Sequence, residues 1–242
     1  MNKPTLDLIL PCYNPLPDWG KNVFNSYIEI RKLLPDTNIQ VIIVNDGSSK
    51  GINDAALLSL NQKIPDLCIE HLAINKGKGN AIRKGIALGK SDLQIFTDID
   101  FPYAEKDLAN MYENLLFEQA DIAVGSRETD YYKNVPFLRV LISRLLRSSV
   151  RMLLQLPTSD TQTGLKGFNN KGKKILLKTK INRYLFDLEF LYLANQDKTL
   201  KIITVPVSLK DTVTFSKISW KQMLIECANF MKILFYRFFR KK

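Results

Sequence analysis

Leu93-Gln94-Ile95-Phe96-Thr97-Asp98-Ile99-Asp100 opens as a short apolar, β-prone run and ends in two carboxylates one residue apart. A run of this length with helix-like segments on both sides reads as a buried parallel strand. Its charged end cannot be buried unpaired, because an isolated carboxylate in an apolar setting is very costly. Two carboxylates leaving one strand also repel each other unless a cation or a solvated cleft relieves them. The carboxyl ends of the strands are where open α/β sheets bind ligands. A hard divalent cation, Mg²⁺ or Mn²⁺, with open positions for substrate phosphates suits Asp98 and Asp100. A strand followed by a polar turn is the alternative, and the neighbouring segments decide between them.

Working outward, the first half of the chain alternates regularly. Strand-like runs at Thr5–Leu10, Ile39–Val44 and Leu67–Leu72 are separated by helical patterns at Trp19–Leu34 and Ala55–Leu60, with another from Asn80 to about Leu88. That rhythm predicts a parallel, right-handed, doubly wound sheet. Beyond Asp100 the spacing predicts a helix over Lys106–Gln119, a strand over Ile122–Gly125 and a long amphipathic helix over Leu138–Leu156 carrying Arg144, Arg147 and Arg151. A polar loop at Thr158–Phe168, a helix at Tyr184–Ala194 and a strand at Lys201–Val207 follow. The expected fold is therefore an α/β, mostly parallel sheet flanked by helices, over residues 1–212. Residues 213–242 form a basic amphipathic terminal helix.

The charge balance narrows the partners. The chain has 242 residues, with 35 Lys and Arg against 24 Asp and Glu, a net charge of +11. Such an excess favours anionic partners: nucleic acid, a phosphate-bearing substrate or an anionic membrane surface. Cys12, Cys68 and Cys227 are scattered without metal-site spacing and are expected as free thiols in a reducing compartment. Met1 leads into a strand within a few residues, without a signal-peptide pattern. Nor does any run of uncharged apolar residues reach the length of a simple membrane-spanning helix.

Three further loops at strand ends have chemistry suited to a nucleotide. Pro11, Tyr13 and Asn14 offer a ring to stack on a base and an amide to hydrogen-bond it. Asp46 can accept from a base N–H or a ribose hydroxyl, and Gly47 allows close backbone approach. Gly77-Lys78-Gly79, at a helix start, can present backbone N–H groups and an ammonium to phosphate. Each also has a plainer reading as a turn, a helix cap or a flexible loop. The Gly-Lys-Gly spacing matches neither a Walker A loop nor a dinucleotide fingerprint.

Together, Leu10-Pro11-Cys12-Tyr13-Asn14, Val44-Asn45-Asp46-Gly47-Ser48-Ser49, Asn75-Lys76-Gly77-Lys78-Gly79-Asn80 and Thr97-Asp98-Ile99-Asp100 resemble, in order and spacing, family 2 glycosyltransferases of the GT-A (Rossmann-like) fold. Gly125-Ser126-Arg127, Asp160 to Phe168 and Phe186 to Leu191 continue the similarity. These later segments look most like those of dolichyl-phosphate β-glucosyltransferases and other polyprenyl-phosphate glycosyltransferases. The resemblance covers about residues 5–210.

The resemblance implies a UDP- or GDP-linked sugar donor and an inverting displacement at the anomeric carbon. Pro11, Tyr13 and Asp46 would hold base and ribose; Asp98 would hold the ribose or a metal-bound water; and Asp100 would ligate the metal on the diphosphate. Many relatives place a metal-side Gln two residues after the second Asp, where this chain has Pro102. For a lipid-phosphate acceptor, Arg127, Lys166 and the arginines of the Leu138–Leu156 helix are phosphate partners. Asp160 and Gln162 are the candidates for the reaction centre. A saccharide acceptor would instead need a carboxylate base, for which Asp160, Asp187 or Glu189 could serve.

The tail adds a membrane argument. Trp220, Phe230, Phe235, Tyr236, Phe238 and Phe239 alternate with basic residues, and Glu226 is the one acid between Lys217 and Lys242. This pattern typifies helices lying in a membrane interface; docking on the protein's own sheet or on a partner subunit is the alternative. The expected protein is a cytoplasmic enzyme, peripheral at the inner membrane face, using a nucleotide sugar and a lipid phosphate. Nucleic acid is not an expected partner, since paired carboxylates at the strand ends would repel it, and the sequence leaves the oligomeric state open.

Overall fold

The computed structural model describes residues 3–117, 120–127, 154, 156, 158, 160–210 and 220–239. Most of the expected helix Leu138–Leu156, including Arg144, Arg147 and Arg151, lies outside the described residues. So does the polar stretch before it.

Among the described residues, seven strands form one sheet: β1 (Thr5–Cys12), β2 (Asn38–Asp46), β3 (Leu67–Leu72), β4 (Leu93–Phe96), β5 (Ile122–Arg127), β6 (Lys166–Phe168) and β7 (Ile202–Val207), in the order β3-β2-β1-β4-β6-β5-β7. Described helices are α1 (Trp19–Leu33), α2 (Asp54–Lys63), α3 (Lys78–Leu88), α4 (Glu105–Phe117), α5 (Asn170–Leu176), α6 (Phe186–Gln196) and α7 (Trp220–Phe239). The parallel register runs Thr5↔Asn38 to Cys12↔Asn45 and Leu6↔Leu93 to Ile9↔Phe96. It brings the carboxyl ends of β1, β2 and β4 side by side, as the alternating pattern predicted.

Both sheet faces are covered, which is why the central strands are apolar without alternation. On one face Leu8, Leu10, Val41 and Ile43 pack against Val23 and Ile30 of α1 and Met111 and Tyr112 of α4. On the other, Ile9, Ile42, Val44 and Phe96 meet Ile82 and Ile86 of α3 and Phe186 and Phe190 of α6. Phe96 lies 5.8 Å from Phe186 and 6.4 Å from Phe168, ring centroid to centroid, at the centre of that second layer.

The loop expected at Thr158–Phe168 holds a short strand. β6 runs antiparallel between β4 and β5, pairing Gln94↔Phe168, Phe96↔Lys166 and Val124↔Lys166. A Lys-Gly-Phe strand carries no period, and the glycine is there for packing: a Cβ on Gly167 would lie 2.6 Å from Leu115 of α4. Because β6 runs backward, residues 160–165 that lead into it sit at the carboxyl ends of β4 and β5. The sequence pattern also missed α5, whose start is capped by Asn169 accepting from the Lys171 and Gly172 N–H groups at 2.9 and 3.3 Å.

Candidate active site

Four strand ends and the loop before β6 converge. Tyr13, just past β1, is 52% exposed, an available ring. Asn14 has φ +47°, and its side-chain oxygen accepts from Ser49 N–H at 2.9 Å and Lys50 N–H at 3.2 Å. Ser48 Oγ accepts from the Asn14 N–H at 2.8 Å. Asn14 therefore ties the β1 and β2 loops together through its side-chain carbonyl oxygen. Pro11 is buried within β1 and marks the floor of that loop.

Asp46 is buried at the tip of β2, and each of its oxygens takes a backbone N–H, from Lys76 at 2.9 Å and Gly77 at 2.7 Å. It anchors the 75–77 loop. Gly47 is needed there: its φ is +65°, and a Cβ would stand 2.5 Å from the backbone of Ile74 and Asn75.

The Gly77-Lys78-Gly79 turn departs from expectation. The Gly77 N–H goes to Asp46, while those of Gly79 and Asn80 go to the Asn182 carbonyl at 2.7 and 3.4 Å. These amides are used inside the protein and do not cradle phosphate. The glycines serve close packing, since a Cβ on Gly79 would lie 2.6 Å from Phe186 Cβ and 2.7 Å from the Ile181 carbonyl. Gly79→Ala is accordingly expected to destabilise the fold by about 1–3 kcal/mol, the usual cost of overpacking, measured by denaturant unfolding.

Lys78 retains the role of a cation. Its ammonium sits 2.5 Å from Asp98 Oδ1, and so supplies part of the charge relief that paired carboxylates require. Burial alone would lower the Lys78 pKa, but Asp98 and then Asp187 outweigh it and hold the ammonium above its usual range. Asp98 Oδ2 faces Gly164, where a Cβ would stand 2.6 Å away. Beyond it, Phe101 N–H donates to the Asp98 carbonyl at 3.0 Å, and the left-handed φ of +47° at Phe101 closes the turn carrying Asp100. Partial loss of solvation first, and then repulsion from Asp98, raise the Asp100 pKa, although its side chain still reaches solvent. Tyr103 underlies this turn; its hydroxyl oxygen accepts from the Gly164 N–H at 3.2 Å, and burial pushes its pKa up to about 12.

Carboxylates on one turn at the strand ends supply hard oxygens that suit a divalent cation taking its remaining ligands from substrate and water. Among the described residues no cluster of three or more His, Cys, Asp or Glu occurs.

On the far side, Arg127 at the tip of β5 grips Asp160 with Nε at 2.9 Å and a terminal nitrogen at 2.5 Å, and its backbone N–H donates to the same carboxylate at 2.9 Å. Nearby Gln162 has a buried Nε2 without a hydrogen-bond partner. Lys166 is 0% exposed, paired with Asp187 at 2.8 Å and donating to the Thr163 carbonyl at 2.5 Å. Its ammonium is thus committed to the interior, which corrects the expectation of a phosphate contact. Desolvation lowers the Lys166 pKa and raises that of Asp187, each only partly offset by the other. Glu189 accepts the N–H groups of Lys180 and Ile181 at 2.8 and 2.7 Å and holds the 180–185 turn. Sequence reasoning did not find Tyr103 or Gly164, and neither carries a motif signal without the antiparallel course of β6.

The chain is similar to several known proteins. The dolichyl-phosphate β-glucosyltransferase of Drosophila melanogaster is 30% identical, with 92% of this chain and 73% of that one aligned. The UDP-N-acetylglucosamine–dolichyl-phosphate N-acetylglucosaminyltransferase of Methanococcus voltae is 29% identical, with 83% of each chain covered. Among solved structures, glucosyl-3-phosphoglycerate synthase from Mycobacterium tuberculosis, in complex with Mn²⁺, UDP-glucose and phosphoglyceric acid, superposes with a TM-score of 0.65 at 14% identity over 97% of this chain and 79% of that one. This last likeness concerns the fold, and it establishes the GT-A architecture. A family model spans residues 7–176, from β1 through α5, and so takes in every strand tip described above. With that span matched, the chain belongs to glycosyl transferase family 2.

Proposed function

We propose that this glycosyltransferase moves a sugar from a UDP- or GDP-linked donor to a polyprenyl phosphate, with inversion and with a divalent cation, working peripherally at the inner membrane face. The observation that carries this reading is the convergence of the Asp46-anchored loop, Lys78, Asp98 and Asp100 with the Arg127–Asp160 pair at one end of the sheet. The names of the Drosophila and Methanococcus relatives, both acting on dolichyl phosphate, support the acceptor. A net charge of +11 suits two anionic substrates.

In this reading Tyr13 stacks on the base, above a floor that includes Pro11, and the 75–77 loop held by Asp46 lines the nucleoside side. Asp100 would hold the cation on the donor diphosphate, and Asp98, steadied by Lys78, would complete that side through the ribose or a metal-bound water. Once bound, the cation neutralises charge growing on the leaving diphosphate. Asp160 orients the Arg127 guanidinium toward the acceptor phosphate, and Gln162 Nε2 donates to a phosphate oxygen.

The same geometry favours a phosphate over a saccharide acceptor. A sugar hydroxyl needs a carboxylate base. Asp160 is gripped by Arg127, Asp187 is paired with Lys166, and Glu189 accepts two backbone N–H groups. An anionic phosphate oxygen needs orientation only. Labelled UDP- and GDP-sugars incubated with polyprenyl phosphate in detergent micelles are expected to yield a chloroform-extractable product. A product made only with saccharide acceptors, and wholly water-soluble, would establish polysaccharide assembly in its place. Absence of transfer, with salt-sensitive RNA or DNA binding, would overturn both.

A further inference from the structure

We infer that the outer face of α7 is a preformed docking surface for an anionic lipid bilayer. The inference deepens the lipid-acceptor reading, on which it rests for its purpose, but it stands on separate observations. Trp220, Leu224, Met231 and Phe235 are 76%, 69%, 63% and 58% exposed. At 100° per residue these four side chains fall within an arc of about 60°, a continuous stripe along the helix. Contiguous apolar surface of this kind on a soluble protein marks an interaction site.

The opposite face is already occupied. Ile233 and Asn229 are buried against the body of the protein, where Ile233 joins the core layer of Phe186 and Leu188. The one acid of the helix, Glu226, is turned inward as well: its carboxylate accepts from Leu185 N–H at 3.0 Å and Asn229 Nδ2 at 3.3 Å. Lys232 is exposed beside the stripe, on a chain of net charge +11. A second copy of a +11 chain would bring like charges together, whereas an anionic bilayer complements them and accepts Trp, Phe, Leu and Met at its interface. No described helix is long and apolar enough to cross a membrane, so the contact is with the surface of the bilayer.

The attachment point matters for function. Leu185, held by Glu226, lies in the turn where Asn182 receives the Gly79 and Asn80 N–H groups and which leads into Asp187. A bilayer seated on the outer face of α7 would thus be linked, through Glu226 on the inner face of that helix, to the turn that supports the Lys78 loop. Within the described residues, α7 (Trp220–Phe239) accordingly serves as the membrane-facing element.

The chain carries its own reporter. Of its two tryptophans, Trp19 is buried in the core, so changes in emission come from Trp220. With phosphatidylcholine–phosphatidylglycerol vesicles, lacking acceptor and nucleotide, the full chain is expected to co-sediment. Trp220 emission should shift to the blue, and binding should weaken with salt. Leu224→Asp combined with Met231→Asp should lower vesicle partitioning by about 100-fold or more, from the apolar area removed. The variant should keep the unfolding midpoint of the parent and its rate on a water-soluble short-chain prenyl phosphate. A full chain that stays in the supernatant with anionic vesicles overturns the inference. Undiminished partitioning of the double variant, or a parent dimer that the two substitutions dissociate, overturns it too. Vesicle binding without transfer to any prenyl phosphate would support the surface and overturn the lipid-acceptor reading alone.

Discussion

Asp100→Ala is expected to reduce turnover by at least about 10²–10³-fold, the scale on which one electrostatic contact to a developing charge is worth. Lys78 pairs with Asp98 on the same turn, so Asp100 is the carboxylate left to hold a cation against the donor diphosphate. Chain reversal at Phe101 fixes its position, and proline follows where a third ligand side chain would stand. Asp100 is solvent-exposed, so its removal should leave the unfolding midpoint unchanged while nucleoside diphosphate release nearly disappears, even at saturating Mn²⁺. Turnover within a few-fold of the parent would show that the charge on the leaving group is neutralised elsewhere.

The second large effect is on stability. Lys166→Met and Asp187→Leu are each expected to cost about 3–5 kcal/mol, because each leaves a lone charge in a closed interior. Both partners are almost wholly inaccessible and 2.8 Å apart, beneath the Phe96 ring and next to Lys78 and Asp98. The double variant should recover most of that loss, since apolar side chains of similar volume can replace a buried pair at little cost. Urea unfolding of the four proteins reads the coupling directly. Costs that simply add would mean that the two charges are stabilised separately.

The sheet was legible where burial leaves a mark on composition. Ile39 to Val44 and Leu93 to Phe96 are apolar throughout because helices cover both faces, and the breaks at Asn45-Asp46-Gly47 and Thr97-Asp98 locate the carboxyl ends. β6 was not legible, for its three residues are a buried lysine, a glycine that admits α4 and a phenylalanine of the core. Much of the site followed from that omission: without β6, nothing indicates that Gly164 lies over Asp98 or that Lys166 points inward to Asp187. Gly77 and Gly79 were read as presenting backbone N–H groups to phosphate; their partners here are the Asp46 carboxylate and the Asn182 carbonyl, and sequence spacing cannot distinguish such an acceptor from a phosphate. Asn14 shows the same ambiguity, a polar side chain at a strand tip that ties two loops together.

At the centre of this account is a nucleoside diphosphate held at the strand tips through a divalent cation on Asp100. Calorimetric titration of UDP and GDP into the full chain, with Mn²⁺ and then with chelator, tests it most directly. Binding of one nucleotide that needs the metal and is lost in Asp100→Ala is the predicted result; equal affinity in chelator, or in the variant, would contradict it.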